Sequence, residues 1–185
     1  MMQKFPSKLL LASLGGVLAG LSLLQMNFIL MSIALAFLWE VSRFPGMTFI
    51  WGFFAVLLGY KWLFSLHPLD WIGIDHSMSL IVVISILISC GLLGGLLLFL
   101  WSNLGVIINK ILKRNIENDL YSSPIYALCL SGVWGLSEVL LSHSPVFWIG
   151  VGGVLLPGDI WLAQWAKIFG AGGLATIQLL IGWWI

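Results

Sequence analysis

The sequence predicts an all-α integral membrane protein, a single bundle of about six transmembrane helices. Three observations lead there. The 185 residues are 61% hydrophobic and 8% charged, against about 25% charged in soluble domains. Mean hydropathy is +1.09. The apolar residues form long runs divided by short polar breaks, and basic residues occupy alternate breaks. A soluble core of this size cannot hide so much apolar surface, whereas lipid serves as its solvent.

The basic residues also give an expected orientation. Lys4 and Lys8 precede the first run, Arg43 follows the second, and Lys110, Lys113 and Arg114 follow the fourth. The intervening breaks, 67–76 and 143–160, hold no Lys or Arg. Cytoplasmic loops are enriched in these residues, so the N-terminus is expected inside. Net charge is +1 and there is no basic stripe, which leaves nucleic acid without an electrostatic footprint.

A helix needs about 20 apolar residues to cross a bilayer core. On that measure the spans lie near 9–24, 27–41, 47–66, 78–108, 124–142 and 161–184. The first two read as short, each about 24 Å at 1.5 Å per residue, and turn at Gln25-Met26-Asn27. The fourth is long enough to cross with tilt or to extend beyond the membrane. Pro45-Gly46 separates the second and third spans, and Pro124 suits the first turn of the fifth. The whole chain reads as one membrane domain, 1–185, without a soluble one.

Most of Trp51, Trp62, Trp71, Trp148, Trp161, Trp165, Trp183 and Trp184 fall where interfaces should be, as an aromatic belt. Gly16/Gly20 and Gly91/Gly95 are small-xxx-small pairs that permit close helix packing. Lys4, Lys8 and the run from Leu9 imitate a signal peptide with Ala34-Leu35-Ala36 as a cleavage-like site. Apolar character resumes at Phe28 and continues far past any such segment, which rejects that reading. Cys90 and Cys129 both lie inside apolar runs and read as packing residues.

Ionisable residues inside a membrane are expensive and often functional. Glu40 lies near the end of the second span, where Arg43 is one turn on, and reads as a helix-end charge. Lys61 and Glu138 precede the ends of spans three and five by about 8 Å and 6 Å. At similar depth on one side, they pair or face a common cavity; alternatively Lys61 snorkels to the interface. His67, Asp70, Asp75 and His76 share one outer loop, and His143 and Asp159 share the next. Their spacing matches no compact metal pattern, so no metal is expected.

The segment Tyr60-Lys61-Trp62-Leu63-Phe64-Ser65-Leu66-His67 resembles the third membrane helix of bacterial apolipoprotein N-acyltransferases. Trp134-Gly135-Leu136-Ser137-Glu138, then Ser144-Pro145-Val146-Phe147-Trp148, then Pro157 and Leu162-Ala163-Gln164-Trp165 through Gly170, follow that family's order. The resemblance spans essentially the whole chain. Gln25-Met26-Asn27 stands where the family often has prolines, Lys61 where an aromatic or apolar residue is usual, and two residues separate Pro145 from Trp148.

The resemblance implies transfer of a phospholipid acyl chain to the N-terminal diacylglyceryl-cysteine of lipoproteins, without a cofactor. Its catalytic Glu, Lys and Cys belong to a nitrilase-like domain that this sequence lacks. Acyl transfer needs a thiolate near a base, and neither Cys90 nor Cys129 has an ionisable neighbour close in sequence. No catalytic residue is therefore assigned, and the chain is expected to be incomplete alone, ending one crossing before that domain. His67, Glu138, Pro145 and Trp148 are the implied lipid or substrate contacts. The implied partners are membrane phospholipid, an apolipoprotein substrate and a separately encoded nitrilase-like domain. The implied location is the bacterial inner membrane. The alternative is a small non-enzymatic multispan protein, a transporter subunit or scaffold, in which Lys61 and Glu138 mark a pathway. An intramembrane hydrolase using Glu40, Glu138 and a His finds no supporting motif.

Overall fold

The computed structural model describes residues 5–113, 123–143, 150–154, 161 and 164–185. Six long helices carry the fold: α1 (Phe5–Gln25), α2 (Phe28–Val41), α3 (Pro45–Gly59), α4 (His76–Lys113), α5 (Pro124–Ser142) and α6 (Ala166–Trp184). Short 3-10 segments occur at Lys61–Leu66, Asp70–Ile72 and Val151–Val154, and there is no strand among the described residues. Large apolar side chains such as Ile81, Leu93, Leu100, Leu136 and Leu140 face outward. Exposed apolar helix faces on this scale belong in lipid, and the chain is a membrane protein.

Helix starts follow local chemistry. Pro45 and Pro124 stand at the first turns of α3 and α5, where a missing N–H costs nothing. The α1–α2 turn falls at Gln25-Met26-Asn27. Asn27 caps α2 by accepting the Leu30 N–H at 3.0 Å, and the Ser22 hydroxyl donates to the Asn27 carbonyl at 2.6 Å. Asp75 starts α4: its carbonyl accepts the Ser79 N–H at 2.8 Å, and its carboxylate accepts the Ser77 N–H at 3.2 Å and the Ser77 hydroxyl.

Two span readings are corrected. Pro6, Ser7 and Lys8 join the first helix ahead of the apolar run, so α1 has 21 residues and measures about 32 Å. Four described helices, α1, α4, α5 and α6, are long and apolar enough to cross a membrane; the short ones are α2 and α3. The third run, read as 47–66, leaves α-helical geometry after Gly59 and tightens into the 3-10 segment Lys61–Leu66. That change places Leu63 in a cluster with Val56, Tyr60 and Leu87.

Glycines set the close seams. Gly16 and Gly20 of α1 lie against Trp51, Phe54, Ala55 and Leu58 of α3, while Gly52 of α3 meets Gly94 of α4. Gly91 and Gly95 admit Phe53 and Phe49, and Gly135 of α5 faces Gly172 of α6. A side chain at these positions would collide with the neighbouring helix. Helix α3 packs extensively on both α1 and α4, and α6 on α5 and α2, but α4 and α5 meet only briefly. Helix α4 has 38 residues, about 57 Å. Its first turns extend past the end of α3, and the 60–75 segment folds alongside them.

Helix α6 is broken one turn after its start. Gly170 has φ +66° and ψ −174°, a backbone region essentially reserved for glycine. Trp161, Trp165, Ile168 and Phe169 precede it, all exposed, and the Trp165 and Phe169 rings stack with centroids 5.8 Å apart.

Candidate functional site

The bundle interior contains a ladder of aromatic rings. Tyr126 and Trp39 have centroids 6.4 Å apart, Trp39 and Trp101 5.5 Å, and Trp101 and Trp134 5.5 Å, all edge-on. Indole N–H groups need acceptors in an apolar interior. Trp39 Nε1 donates to the Leu179 carbonyl at 2.9 Å and Trp101 Nε1 to the Leu130 carbonyl at 3.0 Å. Trp134 Nε1 donates to Glu138 Oε1 at 2.8 Å. Helical spacing brings this last pair together, because residues i and i+4 share a face.

Glu138 is 4% exposed. Besides the indole, its Oε1 accepts the Val151 N–H at 2.6 Å, and Oε2 lies 3.5 Å from the Gly152 nitrogen. Val151, Gly152 and Val154 are buried, and the turn packs chiefly on α6, with further contact to α1 and α2. It is a short buried segment whose Val151 and Gly152 N–H groups meet a carboxylate. Gly150 and Gly152 leave the room it needs: a Cβ on Gly150 would strike the Glu138 carboxylate, and one on Gly152 the Ala171 carbonyl.

Beside this carboxylate, between α4 and α5, is a small cleft of about 50 Å³. Leu97, Leu98 and Trp101 line it from α4, and Trp134, Ser137, Glu138 and Leu141 from α5. Its walls are apolar apart from the Ser137 hydroxyl and the Glu138 carboxylate.

The other expected site residues fall elsewhere. Lys61 is exposed at the start of the 3-10 segment after α3 and is not among the groups that the Glu138 carboxylate contacts. Half-buried His67 places Nδ1 2.8 Å from the hydroxyl oxygen of buried Ser79, which also accepts the Leu69 N–H at 2.8 Å. The His67 and His76 ring centroids are 4.7 Å apart. Pro145 and Trp148 lie outside the described residues. Glu40 is exposed in the last turn of α2, and exposed His143 places Nδ1 2.7 Å from the Val139 carbonyl oxygen. Cys90 packs against the Val56–Tyr60–Leu63–Leu87 cluster, and Cys129 is exposed on α5. Among the described residues, no three His, Cys, Asp or Glu side chains gather as a metal site.

Trp39, Trp101 and the Val151–Gly152 turn escaped the sequence reading. The spacing of Trp134 and Glu138 was the one available signal. Trp51, read with the interfacial belt, is instead 2% exposed and donates Nε1 to the Ala34 carbonyl at 3.1 Å.

These features define a helical membrane protein with a small, mostly apolar cleft beside a buried carboxylate. Curated relatives then specify the kind. Two apolipoprotein N-acyltransferases from strains of Prochlorococcus marinus are 48% identical over 176 residues and 49% identical over 173. A third, from Parasynechococcus marenigrum, is 45% identical over 175 residues. The alignments cover 94–95% of this chain and 34–36% of those proteins. The chain thus spans about a third of the length of the curated relatives it matches, and over that length it is homologous to apolipoprotein N-acyltransferases. No family model matches, nor does any solved structure.

Proposed function

We propose that this chain is the membrane portion of an apolipoprotein N-acyltransferase, seated in the bacterial inner membrane with its N-terminus in the cytoplasm. In this reading the bundle receives a phospholipid acyl chain and presents the lipid to catalytic groups supplied from outside the chain. The acyl group then passes to the N-terminal diacylglyceryl-cysteine of a lipoprotein. The observation carrying the proposal is 45–49% identity to enzymes of that name along nearly the whole chain. The outward-facing apolar helix surfaces, which suit lipid, support it. His67, Pro145 and Trp148 are the further proposed lipid or substrate contacts. Within the described bundle, Glu138 already accepts hydrogen bonds from the turn, and both thiols lie on membrane helices.

The test is rescue of cells lacking their own enzyme, read by mass spectrometry of a lipoprotein N-terminus. The chain alone is expected to leave lipoproteins diacylated. Co-expression with the remaining two-thirds of a Prochlorococcus relative is expected to restore the third acyl chain. Failure of co-expressed, membrane-inserted partners to do so would favour the non-enzymatic scaffold.

A further inference from the structure

We propose that Glu138 is a positioning residue whose carboxylate seats the buried turn at Val151–Val154 inside the bundle. Irregular backbone at membrane depth is tolerated only where protein satisfies its polar groups. Here the acceptor comes from the preceding helix. Glu138 Oε1 accepts the Val151 N–H at 2.6 Å, with Gly152 N 3.5 Å from Oε2. The Trp134 indole donates to the same Oε1 at 2.8 Å and fixes the carboxylate further. All three partners are donors, so the group acts as an acceptor bracket.

The fit extends to the backbone. Gly150 lies so close to the carboxylate that a Cβ would overlap it. Val151 and Val154 then enter the same apolar cluster as Trp101, Trp134 and Leu179. Because Glu138 also lines the α4–α5 cleft, one carboxylate forms both part of that wall and the seat of the turn. This role holds whether or not the chain takes part in acyl transfer, so its failure would leave the proposed function standing.

The test uses the 185-residue chain in lipid nanodiscs, with Cys90 and Cys129 replaced by Ala and Val151→Cys as probe. Val151 is 6% exposed, so a charged maleimide should reach the probe slowly while the turn is seated. Glu138→Leu is expected to speed labelling by about tenfold or more, since local opening is governed by the bonds that close it. Glu138→Gln keeps an acceptor oxygen for Trp134 and Val151 and should stay within about twofold of the parent. Separately, the indole proton resonance of Trp134, assigned through Trp134→Phe, should remain downfield in the Gln variant and move upfield in the Leu variant. Parental labelling and an unmoved indole resonance in a folded Glu138→Leu protein would overturn the proposal. Should that variant not fold, Gly150→Ala is the second arm. It should speed labelling with Glu138 intact, and an unchanged rate there would equally overturn it.

Discussion

Trp51 combines a large buried surface with one polar atom, and both are used. Its ring lies against Gly15 of α1, while Nε1 reaches the Ala34 carbonyl on α2. Trp51→Ala should destabilise the bundle by about 3–5 kcal/mol. Trp51→Phe should cost about 1 kcal/mol, chiefly the hydrogen bond. Unfolding of the two variants in mixed micelles checks the ranking. At the start of α4, hydrogen bonds from Ser77 hold the Asp75 carboxyl below its ordinary value. A depressed carboxylate stabilises the fold above its unfolded value, about 3.9 for Asp. That contribution is lost as pH falls through the lower folded value. Asp75→Ala should therefore lower thermal stability at neutral pH, and the difference from the parent should shrink on acidification below that range. The hidden part of the site is also a matter of single residues. Trp134 and Glu138 four apart were legible as helix neighbours. The partners of Glu138 at Val151 and Gly152 are backbone groups, and any sequence supplies those.

At the scale of elements, glycine decides where helices meet. Gly52 and Gly94 face each other across α3 and α4, whereas a Cβ on Gly132 of α5 meets nothing within 4 Å. Gly94→Leu should therefore force α4 away from α3 and reduce the yield of folded protein. Gly132→Ala should stabilise the chain by up to about 1 kcal/mol through helix propensity alone. Size-exclusion profiles and unfolding curves separate these outcomes. Gly170 differs because its backbone is the constraint: Gly170→Ala should cost about 1–3 kcal/mol. Hydropathy and proline made most helix positions readable, including the α1–α2 turn and the starts of α3 and α5. They could not show that α3 ends at Gly59, because Trp62, Leu63, Phe64 and Leu66 continue its apolar run. With that boundary Lys61 stands in the 3-10 segment beyond α3 instead of in the last turns of a long helix.

Across the whole molecule, the most extensive packing lies between α1 and α3, α3 and α4, α1 and α2, and α5 and α6, whereas α4 meets α5, and α2 meets α3, only briefly. The small cleft beside Trp134 and Glu138 lies on the α4–α5 side. The orientation proposed from Lys8, Arg43 and Lys110 places the 67–76 and 143–160 segments outside the cytoplasm. Periplasmic reporter fusions at Gly73 and within 143–160 should therefore be active, and fusions after Lys113 inactive. The opposite pattern would reverse the assignment of sides. The central claim, that this bundle serves acyl transfer to lipoproteins, is tested most directly by exchange. This chain replaces the matching third of a Prochlorococcus apolipoprotein N-acyltransferase, and N-acylation of a lipoprotein is measured in cells lacking the native enzyme. The chimera should restore triacylated lipoprotein. A chimera that accumulates in the membrane at normal levels yet leaves lipoproteins diacylated would contradict the account.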